Sequence, residues 1–332
     1  MSSVTGVSTA DTSGGAPQST GGSTGRVADR IFSGAATAAG VIVIAIVTLL
    51  AVFLISQAAP SLLGDKVNFL TSREWNVDDT GNLRFGIAQL LYTTIAISVM
   101  AMVLAVPFAI GVALFITQYA PRRIASPAAY LIDLLAAVPS IIYGLWGLTV
   151  FAGKVDGIGT FLQNTFGFIP LLAKTDTGVA GSIFVAGIVV GIMILPIVTA
   201  ISRDVFDQTP AVHKEAALAL GATRWEMIRT TVLPYGRPGV ISGSMLGLGR
   251  ALGETIAITI IVSGLNANSA FSLSLFSGGE TFASKIANNS GEFSNPAKTG
   301  AFISAGLVLF VLTFVVNAIA RAIVERRKAF SE

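Results

Sequence analysis

The sequence predicts an all-α membrane protein with six transmembrane helices, and three observations carry that prediction. Only 12% of its 332 residues are charged and 53% are hydrophobic, whereas a soluble domain carries about 25% charge. Apolar stretches long enough to cross a bilayer, which takes about 20 residues at 1.5 Å each, recur at 34–58, 86–119, 127–151, 178–201, 239–263 and 300–323. They are continuous, while a lipid-facing strand alternates over about ten residues. The lysines and arginines also divide unequally between alternate loops. With both termini inside, 13 of the 21 face the cytoplasm, seven face outward and Arg250 alone lies within a span. Cytoplasmic enrichment of Lys and Arg supports this orientation. The net charge of +3 follows from the topology and calls for no nucleic acid.

Taken in order, the chain opens on a segment in which 17 of the first 25 residues are Ser, Thr or Gly. Such a segment buries too little apolar surface to offset its ordering entropy, so residues 1–33 are expected to be a disordered cytoplasmic tail. Arg26 and Arg30 precede the first span as in a signal peptide. The apolar run exceeds the roughly 7–15 residues of a cleaved h-region and reads as an uncleaved anchor. The second run is over-long, and part of it is expected at an interface. In the outer loop Leu62–Arg84, Trp75 suits the headgroup level. The outer loop Phe151–Thr177 carries Gly153, Gly157, Gly159 and Gly167, so its backbone is expected to turn often. The last outer loop, Gly264–Thr299, is rich in Ser, Asn and Gly, with one short interfacial helix expected over Thr281–Ala287. Residues 326–332 form a cytoplasmic C-terminal tail.

The longest inner loop, 202–238, reads as two short helices. Thr209 is placed to cap a helix starting at Pro210, which continues through His213-Lys214-Glu215-Ala216-Ala217-Leu218 and stops at Gly221. Thr223 and Glu226 have capping-box spacing for a second helix, limited by Pro234 and Pro238. The surface of this knob mixes Ala217, Leu220, Trp225 and Met227 with Lys214, Glu215 and Arg224. An apolar patch rimmed by charge marks a partner site; equally, the loop packs under its own membrane domain.

Arg250 lies 11 residues into the fifth span, roughly 16 Å deep in a core of about 30 Å. A charge there costs at least about 2.5–3.5 kcal/mol and is too deep to snorkel. Glu254, four residues on, shares its helical face. Two readings stay open: an ion pair that fixes helix packing, or a translocation path. In the second, the arginine fork binds a tetrahedral oxyanion and Glu254 neutralises Arg250 when the anion leaves. Gly243, Gly247, Gly249 and Gly253 let helices approach closely. Asp133, six residues into the third span, caps, meets an inner-loop arginine or takes part in gating. Pro107, Pro139 and Pro196 are placed to kink their spans. There is no cysteine and one histidine, His213, which excludes disulfides, zinc–thiolate sites and multi-histidine metal sites. No nucleophile–base pair and no G-x-x-x-x-G-K-[ST] loop is present, so neither an enzyme nor a nucleotide site is expected.

Glu215-Ala216-Ala217, three residues, Gly221, nine residues and Thr231-Val232-Leu233-Pro234 resemble the EAA loop of bacterial ABC importer permeases, with Thr231 where isoleucine is usual. Two further stretches are similar to the third-span and fifth-span signatures of PstC-type phosphate importer permeases. They are Leu134-Leu135-Ala136-Ala137-Val138-Pro139-Ser140-Ile141-Ile142-Tyr143-Gly144-Leu145-Trp146-Gly147 and Gly247-Leu248-Gly249-Arg250-Ala251-Leu252-Gly253-Glu254-Thr255. The resemblance covers roughly residues 30–325. It implies a type I ABC importer permease (MetI-like) fold in a bacterial plasma membrane, multi-pass, surrounded by lipid. It also implies a PstA-like second permease as heterodimer partner, two PstB-like ATPase subunits and an external PstS-like phosphate-binding protein. On this resemblance Arg250 and Glu254 lie on the substrate path, and Glu215, Ala216, Ala217 and Gly221 couple to the ATPase. The chain itself holds no cofactor, and ATP and Mg bind to the partner ATPase. Two rivals remain: the same machine carrying sulfate or molybdate, and a stand-alone channel or secondary transporter, against which the EAA loop argues.

Overall fold

A computed structural model describes residues 24–79, 81–264, 272–293 and 295–328. The expected tail over 1–23 and the last residues, 329–332, lie outside the described residues. The chain divides into two units, Met1–Val52 and Phe53–Glu332. Among the described residues the first unit is helical, the opening part of α1 (Thr24–Gly64), with its apolar side chains exposed. Helix therefore reaches ten residues into the segment expected as tail, because Val27-Ala28-Asp29-Arg30-Ile31-Phe32 carries no breaker.

The second unit holds the end of α1, a two-stranded antiparallel hairpin of β1 (Trp75–Asn76) and β2 (Arg84–Phe85), and eleven further α-helices. They are α2 (Ala88–Leu114), α3 (Arg122–Ala136), α4 (Ser140–Trp146), α5 (Ala152–Phe166), α6 (Ile183–Asp207), α7 (Ala211–Ala219), α8 (Arg224–Met227), α9 (Leu233–Leu252), α10 (Ile256–Ile261), α11 (Phe282–Asn288) and α12 (Pro296–Lys328). Wide π turns extend α2 over Phe115–Tyr119, join α4 to α5 over Gly147–Phe151, and join α8 to α9 over Ile228–Val232. Among the described residues, five helical segments are long and apolar enough to cross a membrane: Ala28–Gly64, Ala88–Tyr119, Ser140–Phe166, Ile183–Asp207 and Pro296–Ala322.

Two expected spans are drawn differently. The run at 127–151 is broken at Pro139. Proline has no N–H and its ring clashes with the carbonyl four residues back, and the residue before it is pushed out of the helical region. Here α3 ends at Ala136 and α4 begins at Ser140. The long apolar helix is instead Ser140–Phe166, so Gly153, Gly157 and Gly159, expected in a turning loop, are helical. Gly159 is there for closeness: a Cβ on it would stand 2.6 Å from Val179 Cγ1. The run at 239–263 is also interrupted, at Gly253–Thr255, between α9 and α10. By contrast, α2 and α6 run through Pro107 and Pro196.

α6 is the centre of the unit: 67% of its most apolar window is buried, against 28% or less in the other four segments. α2 packs on one side, where a Cβ on Gly187 would meet Met100 Sδ at 2.7 Å. α9 packs on the other through four glycines. Gly236 lies against Phe206, Gly239 against Val205, Gly243 against Ile201 and Gly247 against Val198. Lipid tails are as apolar as leucine, so such contacts draw on close van der Waals approach rather than on release of water. The segment before α11 closes the N-terminal end of α6: Ile183 and Phe184 donate backbone N–H bonds to Ser277 O and Leu275 O. The Ser182 hydroxyl accepts from Val185 N–H. Three orphan donors of the helix start are thereby satisfied.

A second layer is built around the hairpin. Trp75 packs on Phe85 and Phe302, with Lys285 Nζ 5.5 Å from its ring centre. Lys298, at the start of α12, is paired with Asp78 at 2.6 Å and Glu292 at 2.8 Å. The short helix expected over Thr281–Ala287 forms as α11, with Thr281 as its cap.

Candidate functional site

α9 carries the candidate site. Its residues Ser242, Met245, Leu246, Gly249 and Arg250 fall at helical intervals on one face. With Ile197 of α6 and Asn317 of α12 they line a cleft of about 630 Å³. Eight residues separate Ser242 from Arg250, so the polar groups are spread over roughly 12 Å of helix. The adjoining stripe of α9 holds the glycines that meet α6. Gly249 belongs to the cleft face: a Cβ there meets nothing within 4 Å. Gly249 and Gly253 are therefore not spacers against another helix of this chain, in contrast to Gly243 and Gly247.

Arg250 is half-buried, and among the described residues no carboxylate forms an ion pair with it. Glu254 is not paired with it. The helix ends at Leu252, and Gly253 N–H closes the last turn on Gly249 O. Glu254, 7% exposed, instead accepts a hydrogen bond from Ala257 N–H at 3.0 Å. The continuous helix on which a shared face was expected is interrupted at Gly253–Thr255, where glycine is a poor residue to continue it. A half-buried guanidinium with no counter-charge among the described residues is a standing attraction for an anion.

Tyr143, 8% exposed in α4, lies within electrostatic reach of Arg250 and donates its hydroxyl to Leu135 O at 3.0 Å. That bond ties α4 to α3 across the Pro139 break. Tyr143, Ser242 and Asn317 are additions to the sequence-derived set. Only Tyr143 stood within a quoted motif, and neutral polar residues inside apolar runs give no signal of their own.

Asp133 lies in α3 and meets Arg203 of α6 at 3.4 Å. Arg203 also binds Asp204 at 2.9 Å. Asp133 thus sits on a separate helix ahead of the long apolar segment Ser140–Phe166.

The inner loop forms the helical hairpin expected, with one difference at its start. Pro210 itself is the N-cap of α7, while Thr209 is buried with its hydroxyl unpartnered among the described residues. Gly221 has φ +86°, a left-handed conformation that side-chain-bearing residues adopt only with strain. Thr223 and Glu226 form a complete capping box at α8. The Thr223 backbone N–H and hydroxyl both donate to the Glu226 carboxylate at 2.8 Å, which holds its pKa below the usual carboxylate value. Glu215 and Ala216 are exposed, and Ala217 packs down onto the core. Met227, expected at the surface, is buried in that core beside Phe206, Ile228 and Val232. What remains outward is apolar: Val212 is 73%, Leu220 90% and Trp225 56% exposed. The hairpin thus does both things left open by its sequence: one side packs under the membrane helices, and the other presents an apolar, charge-rimmed face.

Residues 105–329 match the family described as binding-protein-dependent transport system inner membrane component. The chain is 54% identical over 300 residues to the phosphate transport system permease protein PstC 2 of Mycobacterium tuberculosis, covering 90% of this chain and 92% of that one. It is 52% identical to the phosphate transport system permease protein PstC of Mycobacterium leprae, covering 92% and 96%. With the protein of that name from Mesorhizobium japonicum the identity is 38%, covering 90% of each. Among solved structures, a chain of the inward-facing MetNI methionine ABC transporter superposes with a TM-score of 0.51 at 14% identity. It covers 72% of this chain and 95% of that one, a likeness of fold alone.

Proposed function

This chain belongs to the binding-protein-dependent transport system inner membrane components, and from that premise we propose that it is the permease subunit of an ATP-driven phosphate importer. The observation that carries phosphate as cargo is the 38–54% identity, over most of the chain, to proteins named as phosphate transport permeases. The fold is that of the MetI-like permeases, and the protein is a multi-pass membrane protein. It is a transport subunit and not an enzyme.

The finer reading assigns a partner to each surface. The exposed face of α7 and α8, with Glu215, Ala216 and Gly221 on it, docks one of two PstB-like ATPases, and ATP and Mg belong to those subunits. Both termini lie in the cytoplasm. A PstA-like second permease supplies the other half of the path, and an external PstS-like protein delivers phosphate. Arg250 acts as the cationic station of this half. A guanidinium fork offers paired donors to tetrahedral oxygens, and with no carboxylate paired to it among the described residues those donors are available to an anion. Glu254, holding the first turn of α10 through Ala257 N–H, fixes the bend just beyond Arg250. Alternating access then exposes Arg250 to each side in turn. Asp133, through Arg203, joins α3 to the inner end of α6, where a gating movement would have to act.

The decisive experiment isolates the intact complex from its host membrane and measures ATP hydrolysis. Stimulation is expected with phosphate and the external binding protein together, and not with sulfate. An isolated chain that moves phosphate or ions in liposomes without any ATPase would overturn the reading.

A further inference from the structure

The cleft beside Arg250 contains two neutral polar side chains that the charge-based account does not use. Ser242 lies two helical turns before Arg250 on the same face of α9 and is exposed; its hydroxyl donates to Pro238 O at 3.0 Å. Its one proton is therefore committed, and what it offers the cleft is oxygen lone pairs. Asn317 enters from α12, within the apolar segment Pro296–Ala322. Its neighbours in sequence are Phe314, Val315, Val316, Ala318 and Ile319. No hydrogen bond to its amide is formed among the described residues, and it is exposed to the cleft. An amide without a partner in an apolar helix loses several kcal/mol against water in the most apolar surroundings, so its place on an open cleft that also holds Ser242 and Arg250 is what makes it tolerable.

We propose that Ser242 and Asn317 form a second, uncharged station for the anion, which recognises the proton that phosphate carries and hands the ion on from Arg250. This rests on the phosphate-importer reading above. The chemistry divides between the two kinds of polar group on the cleft. The guanidinium has donors only and reads negative oxygens, so it treats phosphate and sulfate alike. The Ser242 oxygen and the Asn317 carbonyl are acceptors, and the Asn317 NH₂ is a donor. Phosphate at neutral pH keeps at least one P–OH that an acceptor can bind, and sulfate keeps none. A site built to bind a hydroxyl rejects an analogue lacking it, because its acceptors face anionic oxygen instead. Neutrality also lets the ion leave: a second cation 12 Å along would hold it. Ile197, Met245 and Leu246 supply the apolar wall between the stations, and Gly249 leaves the width for the ion to pass.

The chain contains no cysteine, so single cysteines report without further engineering of this subunit. In the assembled complex in membrane vesicles, Asn317→Cys and Ser242→Cys are treated with a charged, water-soluble thiol reagent, and labelling is read on this chain by mass. Both positions are expected to label, and phosphate during ATP turnover is expected to slow labelling by at least about threefold, with sulfate ineffective. In parallel, Asn317→Leu is expected to lower phosphate uptake about tenfold with assembly intact, and Asn317→Gln to recover most of it. No labelling at 317, or labelling indifferent to phosphate, overturns the proposal, as does normal uptake by Asn317→Leu. If the unmodified complex itself shows no phosphate-driven ATP hydrolysis, the importer reading falls instead, and the two failures are thereby told apart.

Discussion

Gly239 and Val205 meet backbone against side chain: a Cβ built on Gly239 would stand 2.3 Å from Val205 Cγ2 and 2.7 Å from Cγ1. Together with Gly236, Gly243 and Gly247, this contact makes α6 and α9 one body from the inner hairpin to the level of Arg250. Gly239→Ala forces the helices apart and is expected to cost about 1–3 kcal/mol, as overpacking does. Val205→Ala in the same chain should return part of that loss. Gly249→Ala, which meets nothing, should leave stability unchanged or raise it, since alanine favours helix by about 1 kcal/mol over glycine. Thermal unfolding of the purified complex measures all three, and equal losses at 239 and 249 would refute the packing account.

Arg250→Gln is expected to reduce phosphate uptake by about 10–100-fold, the equivalent of one charge-assisted hydrogen-bonding group at roughly 1.5–3 kcal/mol. Assembly with the partners should be unchanged. Arg250→Lys keeps the charge but loses the fork, and should fall between the two. Normal uptake by the glutamine variant would remove Arg250 from the path.

Gly221→Val places a β-branched residue at φ +86°, at a cost of about 1–2 kcal/mol. The turn between α7 and α8 should distort, and co-purification of the ATPase should weaken. Glu215→Lys reverses the charge on the exposed face without touching the core, and should weaken docking while leaving thermal stability within about 0.5 kcal/mol. Retained ATPase and coupled uptake in both variants would exclude this hairpin as the coupling surface.

The capping box at Glu226 carries a pH dependence of known sign. Its folded-state pKa is lowered, chiefly by the Thr223 backbone N–H and then by the hydroxyl. The contribution is therefore full above the unfolded carboxylate value and is lost as pH falls through the lowered one. Wild type should be more stable than Thr223→Ala at neutral pH, and the difference should shrink on acidification below the ordinary carboxylate range. A difference independent of pH would show that the carboxylate plays no part.

Asp133→Asn distinguishes a tether from a gate. Arg203 keeps Asp204 at 2.9 Å when Asp133 is neutralised, and a half-exposed pair contributes about 1 kcal/mol at most. A tether predicts uptake within about twofold of wild type. A loss of tenfold or more with assembly intact would establish the gate.

The long apolar helices of this protein were legible in its sequence, since a bilayer demands them. The helices that cross through Pro107 and Pro196 show up in any hydropathy reading. Two breaks did not. Pro139 was visible as a residue, but only the structure shows that it ends a helix where Pro107 does not. The break at Gly253 was hidden: Glu254 read as a partner for Arg250 only while the helix was taken as continuous. Asn317 was out of reach, because nothing in the last apolar run says which of its faces meets α9.

The wide turn at Ile228–Val232 has one further consequence. Leu233 N–H reaches back five residues to Ile228 O, so this turn holds one residue more than an α-helical turn. Each residue advances an α-helix by about 100°. By absorbing that residue, the wide turn sets the azimuth of everything that follows on α9 relative to the hairpin. Ser242, Leu246 and Arg250 point into the cleft, and the glycines point at α6, only while the turn stays wide. Deleting one residue here would let it close as an α-helical turn and leave Arg250 near its present azimuth, whereas closing it with every residue kept would rotate Arg250 by about 100°, more than a quarter turn.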